Sequence, residues 1–255
     1  MHERRLGNLW ITGASTGIGE SFVRSAATHA DRIAMSARSA DKLQALQQDG
    51  DNLFAYPLDV IDAKAVQDTV AAIEDRFGGI DTAVLNAGVW TPMRAVEMDL
   101  DAMHRTMEVN YFGVVNVVRA LLPGMISRGS GHIVIVASVA GYRGLPTAAA
   151  YGASKAAVMH FTETMAVELR RHGIAVSLVN PGFVDTPMTR VNRYDMPGIM
   201  SADAAAQKML DGILKKKPAI FFPFGFTLAM RLLNFLPYRL YYWLVRRVTG
   251  ANGSR

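Results

Sequence analysis

Short apolar runs of strand length alternate with longer helical patterns along most of the chain. Strands are predicted at residues 9–12, 32–36, 53–57, 82–85, 132–137 and 174–179, and helices at 18–29, 40–48, 63–77, 99–127 and 151–172. The run 133–137 contains no polar residue, which is typical of a strand buried on both faces. This alternation predicts an α/β fold, with a doubly wound parallel sheet in a three-layer αβα arrangement.

Composition excludes several kinds of site. Half of the 255 residues are hydrophobic and 19% are charged, so most of the chain can fold around a core. The sequence has no Cys, and its six His residues are scattered. We therefore expect no disulfide, no cysteine nucleophile and no metal site.

The net charge of +5 belongs to the C-terminal part of the chain. Residues 212–255 carry eight basic side chains and no acidic one, which leaves residues 1–211 with +5 − 8 = −3. We therefore expect no nucleic-acid partner for the body of the protein. Residues 1–7 lack an apolar stretch, so no secretory signal is predicted and a cytoplasmic location is expected.

A glycine-rich turn follows the first strand. Thr12-Gly-Ala-Ser-Thr-Gly-Ile-Gly19 joins that strand to the first helix. Glycines let the backbone bend sharply and approach a pyrophosphate, whose charge suits the free N–H groups of the helix start. Its place on the first strand-helix turn predicts dinucleotide binding by Gly13, Ser15, Thr16, Gly17, Ile18 and Gly19.

The end of the second strand carries Arg38 and no acidic residue. An acid there would bind the ribose 2′-hydroxyl of NAD, whereas a guanidinium suits the 2′-phosphate of NADP. We therefore expect NADP(H) to be favoured over NAD(H). The alternative is an exposed arginine at a strand end.

Tyr151 and Lys155 lie four residues apart on a predicted helix, so they share one face. A tyrosine hydroxyl titrates near pH 10, and an ammonium about 4 Å away at an effective dielectric of about 20 would lower its pKa by about three units. The pair could then exchange a proton near neutral pH. On its own, this spacing also arises by chance.

In its ordered motifs, the chain resembles the short-chain dehydrogenase/reductase superfamily in its single-domain form, over residues 6–215. The matching pieces are the turn at 12–19, Asp59-Val60, Asn86-Ala87-Gly88, Asn110, Ser138, Tyr151 with Lys155, and Pro181-Gly182 followed by Thr186. The resemblance implies a Rossmann-type fold with a dinucleotide-binding and catalytic unit over 1–217. Residues 218–255 depart from the family pattern and are predicted as a short helical extension that is not an independent domain.

The same resemblance implies roles for these residues. Tyr151 would be the acid/base, Lys155 would lower its pKa and hold the nicotinamide ribose, and Ser138 would hydrogen-bond the substrate oxygen. Asn110 would hold a proton-relaying water. Cofactor contacts would come from Asp59, Val60, Asn86, Ala87, Gly88, Pro181, Gly182, Val184 and Thr186. A basic residue often precedes the second glycine in NADP-preferring members, but Thr16 stands there.

Each role has a structural alternative. Asp59 could cap the helix that begins at Ala63, Asn110 could be a satisfied core amide, and Ser138 could be a turn residue at a strand end. The apolar residues Met188, Tyr194, Met196, Pro197 and Met200, together with Trp90, Met93 and Leu145, could line a hydrophobic substrate pocket or belong to the core.

The C-terminal segment has an unusual composition. Nine of the 22 aromatic residues lie between Phe221 and Trp243, among arginines, and Pro237 separates two predicted helices at 227–236 and 238–248. No stretch there reaches the roughly 20 apolar residues that span a bilayer. Two readings stay open for 218–248: peripheral contact with a membrane, or packing on the body or a second subunit over the substrate entrance.

The sequence therefore predicts an NADP-dependent oxidoreductase that moves a hydride between NADP(H) and a hydrophobic carbonyl or secondary alcohol. One alternative is a reductase of 3-oxoacyl thioesters, kept open by Arg128, Arg170 and Arg171, which could dock an acidic carrier. Another, from a different class, is a non-catalytic cofactor sensor or scaffold. The resemblance also implies a homo-oligomer, a dimer or tetramer, built through the helices at 99–127 and 151–172.

Overall fold

A computed structural model describes residues 5–192 and 195–249. Its strands are β1 (Asn8–Thr12), β2 (Arg32–Ser36), β3 (Leu53–Ala55), β4 (Thr82–Leu85), β5 (Gly131–Val136), β6 (Ile174–Pro181), β7 (Val184–Asp185), β8 (Met200–Ser201) and β9 (Ala219–Phe222). Its helices are α1 (Gly17–Ala26), α2 (Ala40–Gln47), α3 (Ala63–Phe77), α4 (Leu100–Met107), α5 (Gly113–Arg128), α6 (Ala149–Glu168), α7 (Ala202–Leu214), α8 (Phe224–Leu232) and α9 (Tyr238–Thr249).

Seven strands form one parallel sheet in the order β3-β2-β1-β4-β5-β6-β9. The chain winds outward from β1 in one direction and from β4 in the other, so the order reverses between these two strands. Thr12 of β1 is in register with Leu85 of β4, which places the two carboxyl ends side by side. A crevice at such a reversal is where open parallel sheets bind their ligands.

Helices cover both faces of the sheet, and the predicted three-layer α/β fold is confirmed. On one face α1 and α7 bury Phe22 and Met209 in one core cluster. On the other face α3 and α5 bury Ile73 and Leu121 in a second cluster. The strands between them carry branched apolar side chains on both faces, as buried parallel strands do.

Helix α3 shows how local sequence sets an element boundary. The Asp62 side chain accepts hydrogen bonds from the backbone N–H groups of Lys64 and Ala65, a cap that contributes about 1 kcal/mol. Gly78 ends the helix in the left-handed conformation, at φ 82°. Because Asp62 is the cap of α3, the alternative reading of Asp59 as that cap is wrong.

Some predicted boundaries differ from the structure. The helix expected at 99–127 is continuous but passes through a π-turn at Glu108–Phe112, and β3 and α1 end earlier than expected. The short pair β7 and β8 and the edge strand β9 were not predicted. Strand β9 lies after residue 217, so the sheet includes the first residues of the segment predicted as an extension.

Within the described part of the chain, one helical stretch, Leu100–Arg128, is long and apolar enough to cross a membrane by length and composition. It is a core helix of this fold, because Val117, Leu121 and Met125 are buried against the sheet. The shorter apolar stretch Phe224–Phe235 belongs to the C-terminal segment. Pro237 separates its two helices as predicted.

Candidate active site

The turn after β1 is held against the loop after β4. Gly13 adopts φ +70°, and a Cβ there would lie 2.8 Å from the Ala87 Cα, so only glycine allows this close approach. The Asn86 side-chain amide donates to the Gly13 carbonyl oxygen at 3.1 Å, and the Thr12 hydroxyl accepts from the Asn86 and Ala87 N–H groups. The two central strands are thus tied together at their carboxyl ends.

Helix α1 begins at Gly17 and presents backbone N–H groups to the same edge. Its N-cap residue, Thr16, makes no side-chain capping bond in the described part of the chain, so the first-turn donors stay available to an anion. A Cβ at Gly19 would lie 2.1 Å from the Gly13 carbonyl oxygen. The turn therefore closes tightly and leaves its donors facing the cleft.

A cleft of about 350 Å³ opens along this edge. All predicted cofactor and catalytic residues line it except Gly19, which lies behind the turn, and Asn110, which is fully buried. Both ends of the predicted site, the glycine turn and Tyr151, therefore belong to one cavity. The glycines and the N–H donors at the start of α1 fit a dinucleotide.

Two cationic side chains lie at the end of the cleft that follows β2. Arg38 and Lys42 both line it and both are exposed, and no described acidic residue forms an ion pair with either. Lys42 was not predicted as a cofactor-binding residue. The only signal for it in the sequence was its position four residues after Arg38. The hydroxyl of Ser39 lines the same end.

Asp59 lines the cleft beside Val60 and is already engaged by the protein. One oxygen accepts from the backbone N–H of Ile61 at 3.3 Å, and the other pairs with Arg105 at 3.4 Å. The side chains of Arg105 and Asp59 are 41% and 33% exposed, so the pair adds little to the stability of the fold. It does fix the direction of the carboxylate next to the cleft.

Tyr151 and Lys155 share a face of α6, as their spacing predicts. The Lys155 Nζ lies 5.7 Å from the centre of the Tyr151 ring, and it donates to the Val136 carbonyl oxygen at 2.9 Å. Lys155 is buried, with 4% of its surface exposed, and burial lowers its pKa to about 8. A buried ammonium next to a phenol is an arrangement that favours proton exchange.

Ser138 and Asn110, the other two predicted catalytic residues, lie in different surroundings. The Ser138 hydroxyl lines the cleft and accepts from the Ala140 N–H at 3.2 Å, so it is also a turn residue at the end of β5. The Asn110 amide is fully satisfied as a donor, by the Val89 carbonyl oxygen and the Ser154 hydroxyl, and its oxygen accepts from the Val89 N–H. The side chain of Asn110 therefore clamps the loop after β4.

Trp90 packs against Tyr151 at the side of the cleft, although it is not one of the residues that line the cleft. Its ring meets the Tyr151 ring edge-on with centroids 5.0 Å apart, and its N–H donates to Asn192 at 2.9 Å. Met188 lines the cleft and is 37% exposed, as an adaptable pocket residue would be.

Other candidates for the substrate pocket differ in position. Met93 is buried, and Met200 packs against the core cluster on the α1 and α7 face. Leu145 and Met196 are partly buried and Pro197 is exposed. Tyr194 lies outside the described residues.

The C-terminal segment packs on the loop that separates Ser138 from α6. Arg143 of this loop donates to the carbonyl oxygens of Leu233 and Leu236, and its guanidinium lies 4.0 Å from the centre of the Tyr241 ring. The Tyr241 hydroxyl donates in turn to the Gly144 carbonyl oxygen. The inner side of this segment is therefore packed on the body, beside the candidate active site.

The family model described as short chain dehydrogenase matches residues 8–197. The chain belongs to this family, and it is an oxidoreductase that acts on CH–OH groups with NAD(P). The reading as a non-catalytic sensor or scaffold is therefore not supported.

The chain is similar to an "uncharacterized oxidoreductase" of Myxococcus xanthus, with 34% identity over 93% of this chain and 96% of that protein. It also resembles a short-chain dehydrogenase/reductase of Burkholderia phymatum solved with NAD, at 26% identity and TM-score 0.81 over 91% and 94% of the two chains. A gluconate 5-dehydrogenase of Burkholderia cenocepacia, solved with NADP and tartrate, matches at 27% identity and TM-score 0.80 over 89% and 98%. Both coenzymes thus occur among similar structures.

Proposed function

We propose that this protein reduces a hydrophobic carbonyl compound with NADPH, and oxidises the matching secondary alcohol in reverse. The observation that supports this most directly is the shared cavity, which joins a glycine turn, the cations Arg38 and Lys42, and the Tyr151–Lys155 pair. When bound, the coenzyme supplies or accepts the hydride. The chain's own residues bind it, position the substrate and move one proton.

The proton is handled by Tyr151 in this proposal. Its hydroxyl gives a proton to the carbonyl oxygen during reduction and takes one from the alcohol during oxidation. Lys155, when charged, stabilises the phenolate electrostatically, and the Ser138 hydroxyl hydrogen-bonds the same substrate oxygen. Asn110 acts indirectly, because its hydrogen bonds to the Val89 backbone hold the loop after β4 in place. Its role in holding a relay water stays a prediction.

Preference for NADP(H) is supported by two side chains. Arg38 offers a planar fork suited to a phosphate, and Lys42 adds a second positive charge at the same end of the cleft. Because neither has a described acidic partner, both are available to a 2′-phosphate. The remaining predicted cofactor contacts, except Gly19, line the same cleft.

The test compares steady-state reduction of hydrophobic aldehydes and ketones with NADPH and NADH. We expect NADPH to give the higher kcat/KM, Tyr151→Phe to lose activity by several powers of ten while still binding coenzyme, and Arg38→Asp to reduce the preference. A charge-assisted hydrogen bond contributes about 1.5–3 kcal/mol, so its loss in Arg38→Asp should lower kcat/KM for NADPH roughly 10- to 150-fold. The value of kcat/KM for NADH should not fall. Arg119→Asp, an exposed site on α5, is the matched control.

Two results would contradict these assignments. An unchanged coenzyme preference in Arg38→Asp would remove the basis for NADP. Full activity of Tyr151→Phe would remove the proposed acid/base, whatever the coenzyme.

The 3-oxoacyl-thioester alternative is weakened by where its arginines lie. Arg128 ends α5 just before β5, and Arg170 and Arg171 stand just before β6, which places all three at the amino edge of the sheet. The cleft opens at the opposite edge, and Arg128 already pairs with Glu74 at 3.1 Å. A carrier docked on these arginines would not face Tyr151.

Assembly and location stay predictions. Exposed Phe112 and Val167, on the outer sides of the two long helical segments, support a homo-oligomer through that surface. A dimer or tetramer would be identified by light scattering during gel filtration. A cytoplasmic location remains an expectation from the sequence.

A further inference from the structure

The C-terminal segment has an exposed side with a composition unlike the rest of the surface. We call residues 223–249 the tail. Along α8 and the turn after it, Phe224, Leu228, Leu232 and Phe235 recur at helical spacing, with exposed fractions of 65%, 38%, 57% and 84%. This spacing puts all four on one stripe of the helix, which we call the apolar stripe.

Helix α9 has two distinct faces. Tyr241, Leu244 and Val245 point toward the body, and Tyr241 is almost completely buried. The opposite side, which we call the basic face, carries Arg239, Tyr242, Trp243, Arg246 and Arg247, all exposed. The Arg247 guanidinium lies 5.6 Å from the Trp243 ring.

The charge of the tail indicates which kind of partner this surface binds. From Pro223 to Thr249 the chain has four arginines and no acidic residue. Exposed rings with arginines around them suit the headgroup region of a bilayer, and arginines are attracted to anionic lipid. We propose that the apolar stripe and the basic face of the tail bind the surface of an anionic membrane, without crossing it.

Topology places this contact next to the active site. Because β9 is parallel to β6, α8 leaves the sheet at its carboxyl edge, where the cleft opens. The inner contacts of Arg143 and Tyr241 hold the tail against the loop beside Ser138. A lipid-like carbonyl compound could then enter the cleft from the membrane, a consequence that rests on the proposed function, whereas the binding does not.

Vesicle co-sedimentation of the full chain tests the proposal. The probes are vesicles of phosphatidylcholine alone and of phosphatidylcholine mixed with phosphatidylserine. We expect binding to the anionic vesicles, weakened when ionic strength rises from about 0.1 M to about 1 M, which shortens the Debye length from roughly 10 to 3 Å. Removing two arginines with Arg246→Gln and Arg247→Gln should weaken binding roughly 30-fold, at about fivefold for each charge.

Matched variants separate a surface effect from loss of folding. Arg170→Gln with Arg171→Gln removes the same charge from the amino edge of the sheet and should leave vesicle binding unchanged. Leu232→Ser with Phe235→Ser should weaken binding to the anionic vesicles. Its control, Val167→Ser, changes an exposed apolar residue of α6. Melting temperatures within a few degrees of the unmodified chain would show that the variants are folded.

Tryptophan fluorescence gives a second measurement. Trp10 is buried and Trp90 is partly buried, so a blue shift on adding anionic vesicles should come from Trp243, and Trp243→Phe should remove it while keeping most of the binding.

Three outcomes would overturn the proposal. The first is no binding to either vesicle, and the second is equal loss in the tail and amino-edge arginine variants. The third is a tail variant that changes the oligomeric mass but not vesicle binding, which would identify a second copy of the chain as the partner. Turnover plays no part in these measurements, so they stand whether or not the proposed reaction is correct.

Discussion

Replacing Lys155 should make the folded protein more stable while removing its activity. The pKa of Lys155 falls from its ordinary value of 10.5 to about 8 because the side chain is buried. At 1.36 kcal/mol per pKa unit, the folded state holds this charge at a cost of about 3 kcal/mol at every pH below 8. Lys155→Met removes that cost and keeps the side-chain volume nearly unchanged.

Losing the hydrogen bond from Lys155 to the Val136 carbonyl oxygen lowers the stability of the variant. Leaving this carbonyl oxygen without its donor costs about 1–3 kcal/mol, so the net gain at pH 7 is about 0–2 kcal/mol. The sign of the pH dependence follows from the lowered pKa. Between pH 8 and 10.5 the unfolded chain binds more protons than the folded one, so the stability of the unmodified protein rises with pH across that interval.

Denaturant unfolding at a series of pH values measures both effects. We expect Lys155→Met to be more stable at pH 7, to lack the rise above pH 8, and to lose catalysis. Lys208→Met, an exposed site on α7, is the control and should change neither quantity. If Lys155→Met were less stable at pH 7 and kept the same rise above pH 8, the buried ammonium would not carry the cost assigned to it.

Three further predictions concern other parts of the molecule. Burial lowers the pKa of His132 to about 4, so stability should fall by about 3 kcal/mol as pH drops from 6.5 to 4, and His132→Gln should lose this slope in acid denaturation. Gly19→Ala should destabilise by about 2–3 kcal/mol, a Tm loss of roughly 5–10 °C by calorimetry, whereas Gly225→Ala, which meets no atom within 4 Å, should not. Arg143→Ala should weaken tail docking by about 2 kcal/mol and speed proteolysis after Arg239 roughly 30-fold; an unchanged rate would show that Arg143 does not hold the tail.

The sequence predicts the elements whose physical cause is local. The six strands from β1 to β6 are confirmed because each is an apolar run bounded by turn residues, and the helices between them have clear periodicity. The ends of α3 can be predicted from the sequence because Asp62 and Gly78, which cap them, lie directly beside the helix in the chain. The glycine turn at 12–19 can also be predicted, because its glycines are consecutive in the sequence with the strand and helix that they join.

Other features depend on contacts between distant residues and have no local signal. Strand β9 has only four residues and is fixed by pairing with β6, about 40 residues earlier in the chain. Arg143 meets carbonyl groups 90 and 93 residues away, at the end of α8. Helix α2 begins at Ala40 as predicted, but Lys42 lines the cleft because of where this helix lies against the sheet, which its own sequence does not show.

The place of the tail follows from the sheet and not from the tail's own sequence. In a parallel sheet every strand points its carboxyl end to the same edge, so any segment that follows the last strand must leave beside the cleft. The tail's sequence then decides only what surface the protein presents there. Its inner side supplies Tyr241 and two carbonyl groups to Arg143, and its outer side supplies rings and arginines without a single acid. Changes on the outer side can therefore alter the partner at this edge while the strands that position Tyr151 and Lys155 stay the same.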